Sequence, residues 1–183
     1  MSFFEKSPAV KALEIEANML KNMMELVRPI ISAYKTMLDA VGSGIYMSEV
    51  VRKNWEHALG QKAAEMKGEH TTALGAKLLS PIMKGVWSAS LDAYQTADLL
   101  FNCCKDGKFQ TRFQANDTVE LFGKIKAKAL SNMDMLEEQF RQVAPDELRD
   151  KVLSHMKRGF TNEFRGWVEK RQKEMEKKLG RAA

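Results

Sequence analysis

The chain has 183 residues, of which 44% are hydrophobic and 29% charged, with a formal net charge of +5. That balance is the one of a soluble globular protein with a sizeable core, and it excludes a chain disordered throughout. No stretch reaches the roughly 18 uninterrupted apolar residues needed to cross a bilayer, and Met1 to Lys6 lack the basic-then-apolar pattern of a secretory leader.

The first predicted element opens at Ser7, a residue type that caps helix N-termini, followed by Pro8 at the first helical position. Apolar residues then recur three and four apart without a break: Val10, Leu13, Ala17, Leu20, Met24, Val27, Ile31, Tyr34, Leu38 and Val41. A period of 3.5 residues marks a helix that buries a stripe against other helices. With Val10 as heptad position a, the e positions Glu14, Lys21, Arg28 and Lys35 are charged, whereas Met23, Ile30 and Met37 at g are apolar. A face that spans a, d and g is wider than a two-stranded zipper needs, so a bundle is expected. Pro29 falls on the outer side of this helix and predicts a kink without a break in register. Gly42-Ser43-Gly44 is the stop.

A second helix is expected from about Ile45 to Met66, with Val51, Trp55, Ala58 and Leu59 inward and Gly68 as a C-terminal cap. A third covers about Thr72 to Cys104, with Ser80-Pro81 as a kink or a fresh start. Its stripe is Leu78, Ile82, Val86, Ala89, Ala93, Ala97, Leu100 and Cys104, and the alanines imply close approach of a neighbour. A loop of Lys105 to Asn116 follows. Asp117 and Glu120 resemble a capping box opening a fourth helix, whose inward residues are Phe122, Ile125, Ala129, Met133, Leu136, Phe140 and Val143. Pro145-Asp146-Glu147 opens a fifth, to about Arg158, with Leu148, Val152 and Met156 on one face. A last helix, or a continuation past Gly159, carries Phe160, Phe164, Trp167, Val168, Met175 and Leu179. The expected architecture is all-α: an antiparallel helical bundle of five to six helices with a long kinked first helix. Pro145 divides it into a main bundle (1–144) and a C-terminal helical pair with a basic amphipathic tail (145–183), within or beside the same domain.

Residues that carry chemistry are sparse. Di-metal carboxylate bundles use Glu three places before His, but Asn54, Lys67 and Val152 precede His57, His70 and His155. The two cysteines, Cys103 and Cys104, are adjacent, which provides neither a spaced disulfide framework nor a redox spacing. They point to a reducing, cytoplasmic interior, with both thiols as inert helix residues. Gly42-Ser43-Gly44 lacks the strand and third glycine of a dinucleotide loop, and no segment ends in Gly-Lys-Ser/Thr. The expectation is therefore no metal, no cofactor, no small-molecule substrate and no enzyme activity.

Two features suit binding. The loop interleaves Lys105, Lys108 and Arg112 with Phe109 and Phe113, a mixture that holds phosphates and stacks on bases, anchors in a partner's groove, or simply covers the bundle end. The last helix sets its aromatic edge against a basic remainder; from Arg165 onward seven basic residues oppose three acidic ones. Such helices pair with partner helices, contact nucleic acid or lie on acidic membranes. Methionines at Met19, Met23, Met24, Met37, Met133 and Met135 fit core gap-fillers better than an adaptable groove.

The leading expectation is a non-enzymatic helical interaction protein (adaptor, chaperone or structural subunit) that self-associates or binds a protein partner through Phe109, Arg112, Phe113, Phe164, Trp167 and Arg171. The alternative is nucleic-acid binding through Lys105, Lys108, Arg165, Lys170, Lys173, Lys177 and Lys178 together with the Phe109/Phe113 loop. An amphiphilic protein on a lipid or granule surface is a further alternative.

Overall fold

A computed structural model describes residues 7–42, 73–105 and 115–182. The helix expected at Ile45–Met66 and most of the Lys105–Asn116 loop lie outside the described residues. Among the described residues, six α-helices and one π-helical turn are joined into four rods: α1 (Pro8–Met24) with α2 (Val27–Gly42); α3 (Ala73–Lys105); α4 (Ala115–Val143); and α5 (Arg149–Met156), a π-helical turn (Lys157–Thr161) and α6 (Asn162–Ala182). Among the described residues there is no strand. The fold is the expected all-α bundle; the described residues form four rods against an expected five to six helices, since the chain runs through Gly159 without a stop and the helix expected at Ile45–Met66 lies outside them.

The first rod begins as its sequence dictates. The Ser7 hydroxyl accepts the Val10 N–H at 3.3 Å and Pro8 occupies the first turn. It bends at Glu25–Leu26, where the Glu25 and Leu26 N–H groups bond back to Asn22 and Met23 carbonyls in tighter i→i−3 fashion. The cause is Pro29. It has no N–H for the Glu25 carbonyl four residues earlier, and its ring crowds that same group. Leu20 through Val41 on the seam are buried, but Val10 stays 43% exposed, so the seam is used for its last two-thirds only. Pro81, in contrast, sits inside α3 without ending it.

The direction of each rod follows from its contacts. Tyr34 meets Asn132 and Gly42 meets Phe122, so α2 runs antiparallel to α4. Gly85 packs on Leu136 and Gln139 while Asp92 reaches Asn132, so α3 is antiparallel to α4 as well. Arg165 pairs with Asp134 and Lys126 bonds Gln172, which makes α6 the third antiparallel neighbour of α4. α2, α3 and α6 therefore share one direction around α4. Along α3 the small residues Gly85, Ala89, Ala93 and Ala97 recur every four positions and are buried. A Cβ added at Gly85 would lie 3.1 Å from both Met135 Sδ and Gln139 Cγ, the close approach that the alanines imply.

One buried cluster joins all six α-helices and the π turn, so residues on both sides of Pro145 contribute to it. Met23, Met24, Met37 and Met133 are fully buried within it, as gap-fillers should be. Its polar content is small. The Asn132 side-chain amide donates to the Tyr34 hydroxyl at 2.7 Å and approaches Asp92 Oδ2 at 3.4 Å. Burial pushes the Tyr34 phenol well above its ordinary pKa, opposed by the Asn132 hydrogen bond and assisted by the charge of Asp92. Thr161, also buried, donates its hydroxyl to Glu137.

The last rod shows why a π turn is needed. Its buried residues Val152, Met156, Phe160, Phe164 and Val168 are spaced by four throughout. At 100° per residue, four such steps would carry the stripe about 160° around a regular helix, away from α2 and α4. The wide turn at Lys157–Thr161 accommodates one extra residue and takes most of that drift out.

Candidate functional site

Charge is the property that the bundle distributes most unevenly. Residues 149–182 hold eleven Lys and Arg against five Asp and Glu, a net of +6, while the whole chain carries +5. The α5–π–α6 rod therefore holds all of the excess, and the rest of the chain is close to neutral.

The side of α6 that faces the bundle is apolar and closed. Phe160, Phe164, Val168 and Met175 are buried against α2 and α4. Phe164, expected as a partner contact, is fully buried and reaches no surface; the amphipathic pattern anticipated its burial but left open which molecule would cover it. Trp167 is half-buried and stacks beside Phe164, with ring centroids 6.4 Å apart and planes 11° from parallel. Lys35 of α2 and Arg171 each sit 5.4 Å from the Trp167 ring centroid, so its π surface already serves two cations of this chain.

Two flanking arginines are committed to neighbouring rods. Arg165 pairs with Asp134 of α4. Arg171 bonds Asp39 of α2 at 3.1 Å and Glu174 on its own helix at 3.1 Å. These pairs are half-exposed, and each contributes at most about 1 kcal/mol. Their effect is to hold α6 in rotation about its axis.

The outer side is different. Lys170, Lys173, Lys177 and Lys178 are exposed and have no ion pair among the described residues. With 100° between successive residues, Lys170, Lys173 and Lys177 project from one side, nearly opposite Val168, and span about 10 Å of helix axis. Gly166 and Gly180 flank this row, and neither has any atom within 4 Å of where a Cβ would lie. The bundle thus presents a straight row of unpaired ammonium groups, fixed by a buried aromatic edge on the opposite side. Such a row can attract and align a polyanion through its phosphates but reads no base identity.

Of the other residues expected to bind, Lys108, Phe109, Arg112 and Phe113 lie outside the described residues. Lys105 is the last residue of α3, with Cys103 and Cys104 in the same turn. Among the described residues, no group of three or more His, Cys, Asp or Glu is placed to hold a metal, and no helix is long and apolar enough to cross a membrane. The sequence reading missed Trp87 and Leu91, one turn apart on α3, which are 65% and 48% exposed. Their signal was present: two large apolar residues four apart, both off the Ile82–Val86–Ala89–Ala93 stripe.

No protein-family model, curated protein or solved structure matches this chain.

Proposed function

We propose that this chain is a non-catalytic binding protein of a reducing, cytoplasmic compartment. Its working surface is the outer side of the α5–π–α6 rod, and its ligand is a nucleic-acid backbone. The observation that carries this reading is the row Lys170, Lys173 and Lys177, with Lys178 beside it, exposed and without ion pairs among the described residues on a rod that holds the chain's whole positive excess. The apolar edge of α6 supports nucleic acid over lipid: a helix that inserts into a membrane surface needs a free apolar face, and here Phe160, Phe164 and Val168 are in the core.

The test is anisotropy of a labelled duplex as a function of salt. If about five phosphates are contacted, a slope near 0.9 per phosphate lowers affinity about 500-fold between 50 and 200 mM salt. The triple variant Lys170→Gln/Lys173→Gln/Lys177→Gln should bind more weakly and flatten the slope by roughly 3, with an unchanged melting temperature. A duplex that does not bind at 50 mM salt, or binds the triple variant equally well, refutes the reading.

A second reading, a helix–helix interaction protein (adaptor, chaperone or structural subunit, self-associating or bound to a protein partner), is favoured by the exposed Trp87 and Leu91. Light scattering distinguishes it: association that is lost on Trp87→Ala/Leu91→Ala supports it, and a concentration-independent monomer counts against self-association.

A further inference from the structure

At the opposite end of the same rod, the C-terminus of α4, α5 and the π turn enclose an open groove of about 580 Å3. Arg141, Arg149, Lys157 and Arg158 line it, with Asp150 the only carboxylate and Ser154 and Asn162 as neutral polar groups. We propose that this groove is a binding site for a phosphate dianion, the terminal phosphate of a monoester or diphosphate. The proposal deepens the nucleic-acid reading by supplying a distinct seat on the same surface, but its geometry stands apart from the lysine row.

Two of the four cations are built in. Arg149 donates to the Arg141 carbonyl at 3.2 Å and the Ala144 carbonyl at 3.4 Å, and pairs with Asp146 at 2.8 Å. Arg141 pairs with Glu138 at 3.4 Å. Both guanidinium groups are thereby positioned at the wall before any ligand arrives, each with part of its charge already answered. Lys157 and Arg158 are exposed and have no ion pair among the described residues. With Asp150 set against them, the groove keeps an excess of one positive charge beyond its two paired arginines, which favours an anionic phosphate over a neutral ligand.

The π turn explains why those charges stand together here. Lys157 and Arg158 are its first two residues, and the extra residue that keeps Phe160 and Phe164 in the core falls in the same turn. π turns occur often at functional sites because they change side-chain direction without ending a helix. Ser154, one turn before, and Asn162, one turn after, continue the same wall. Arginine favours this ligand because its fork meets two phosphate oxygens at once.

Calorimetry with sodium pyrophosphate at low salt is the first measurement. Wild type and Lys170→Gln/Lys173→Gln/Lys177→Gln are expected to bind it equally, and Lys157→Gln/Arg158→Gln at least 10-fold more weakly with an unaltered circular dichroism melt. Absence of pyrophosphate binding by wild type, or equal binding by the Lys157/Arg158 variant, overturns the proposal. The second measurement compares short strands that carry a 5′-phosphate or a 5′-hydroxyl. A 5-fold or greater preference for the phosphate that disappears in the Lys157/Arg158 variant supports the site and makes a strand terminus its ligand. Pyrophosphate binding without such a preference supports the site with a free phosphorylated molecule as its ligand. Duplex binding that depends on the α6 lysines alone, with no pyrophosphate binding, leaves the lysine row standing and removes the groove.

Discussion

Deletion of Gly159 should leave the bundle folded, whereas deletion of Gly166 should unfold it. The two glycines are seven residues apart on one rod, and neither has a neighbour within 4 Å of a Cβ position, so lost contacts cannot separate them. Register can. Gly159 lies inside the π turn, where one residue is surplus to an α-helix. Its removal converts the spacing Val152–Met156–Phe160–Phe164 from 4-4-4 to 4-3-4, which a regular helix accommodates on one face. The expected cost is below about 2 kcal/mol, the scale of one or two perturbed backbone hydrogen bonds. Deletion of Gly166 instead turns everything after it by about 100°. Val168 and Met175 leave the core, and the half-buried Trp167 and Leu179 leave its edge. At roughly 1.5–3 kcal/mol for each fully buried side chain, and about half that for each partly buried one, the loss is on the order of 5–9 kcal/mol. That is comparable to the whole stability of a domain, about 5–15 kcal/mol. Urea titration followed by helical circular dichroism reads both. Equal midpoints for the two deletions, or a lower one for the Gly159 deletion, would refute the account of the π turn.

Tyr34→Phe should lower stability by about 1–2 kcal/mol, because the Asn132 amide loses its 2.7 Å acceptor and keeps only Asp92 at 3.4 Å. For a chain of this length that is a fall of about 2–8 °C in melting temperature. The same residue predicts an alkaline dependence. Burial raises the Tyr34 pKa, so above about pH 10 the unfolded chain releases this proton while the folded chain retains it. Stability present below that pH is then lost as pH rises, by up to about 1.4 kcal/mol per pH unit, and the difference between wild type and Tyr34→Phe should shrink over the same window. Gly123→Ala, on an exposed turn of α4 with nothing within 4 Å, should stabilise by about 0.5–1 kcal/mol. Gly85→Ala should gain nothing or lose stability, since its Cβ would meet Met135 and Gln139 at 3.1 Å; a gain as large as that of Gly123→Ala would contradict the close packing of α3 on α4.

Most of the fold was legible because helical period is a local property. The seam from Leu20 to Val41, the kink required by Pro29 and the inward residues of α4 from Phe122 to Phe140 all follow from spacing, and all are where the period places them. The join at Gly159 was less so. A glycine after a short amphipathic stretch reads as a stop, and only the unbroken four-residue spacing of Val152, Met156, Phe160, Phe164 and Val168 signals one continuous rod. The direction of the rods was legible only in part, since α2, α3 and α6 run together around α4 through contacts of residues up to 98 positions apart. No local pattern encodes that.

The site divides along the same line. An apolar edge such as Phe160–Phe164–Trp167 announces that it will be covered, yet spacing is silent about whether its own chain or another molecule covers it. Here α2 and α4 do so, which removes the apolar edge of α6 as a reason to expect a partner and turns attention to what remains outside. Charge behaves in the opposite way. A lysine cannot be buried cheaply without a partner, so Lys170, Lys173 and Lys177 had to face water wherever α6 packed. Only their lack of counter-ions required the structure. Asp39 of α2 and Asp134 of α4 are bound to Arg171 and Arg165 instead, and Glu174 of α6 itself is bound to Arg171. The neutralised arginines lie at the seams and the unanswered lysines on the crest. Packing accounts for the seams and leaves the crest without a structural role, which is why the crest, rather than the aromatic edge, is the surface on which the proposed function should be tested.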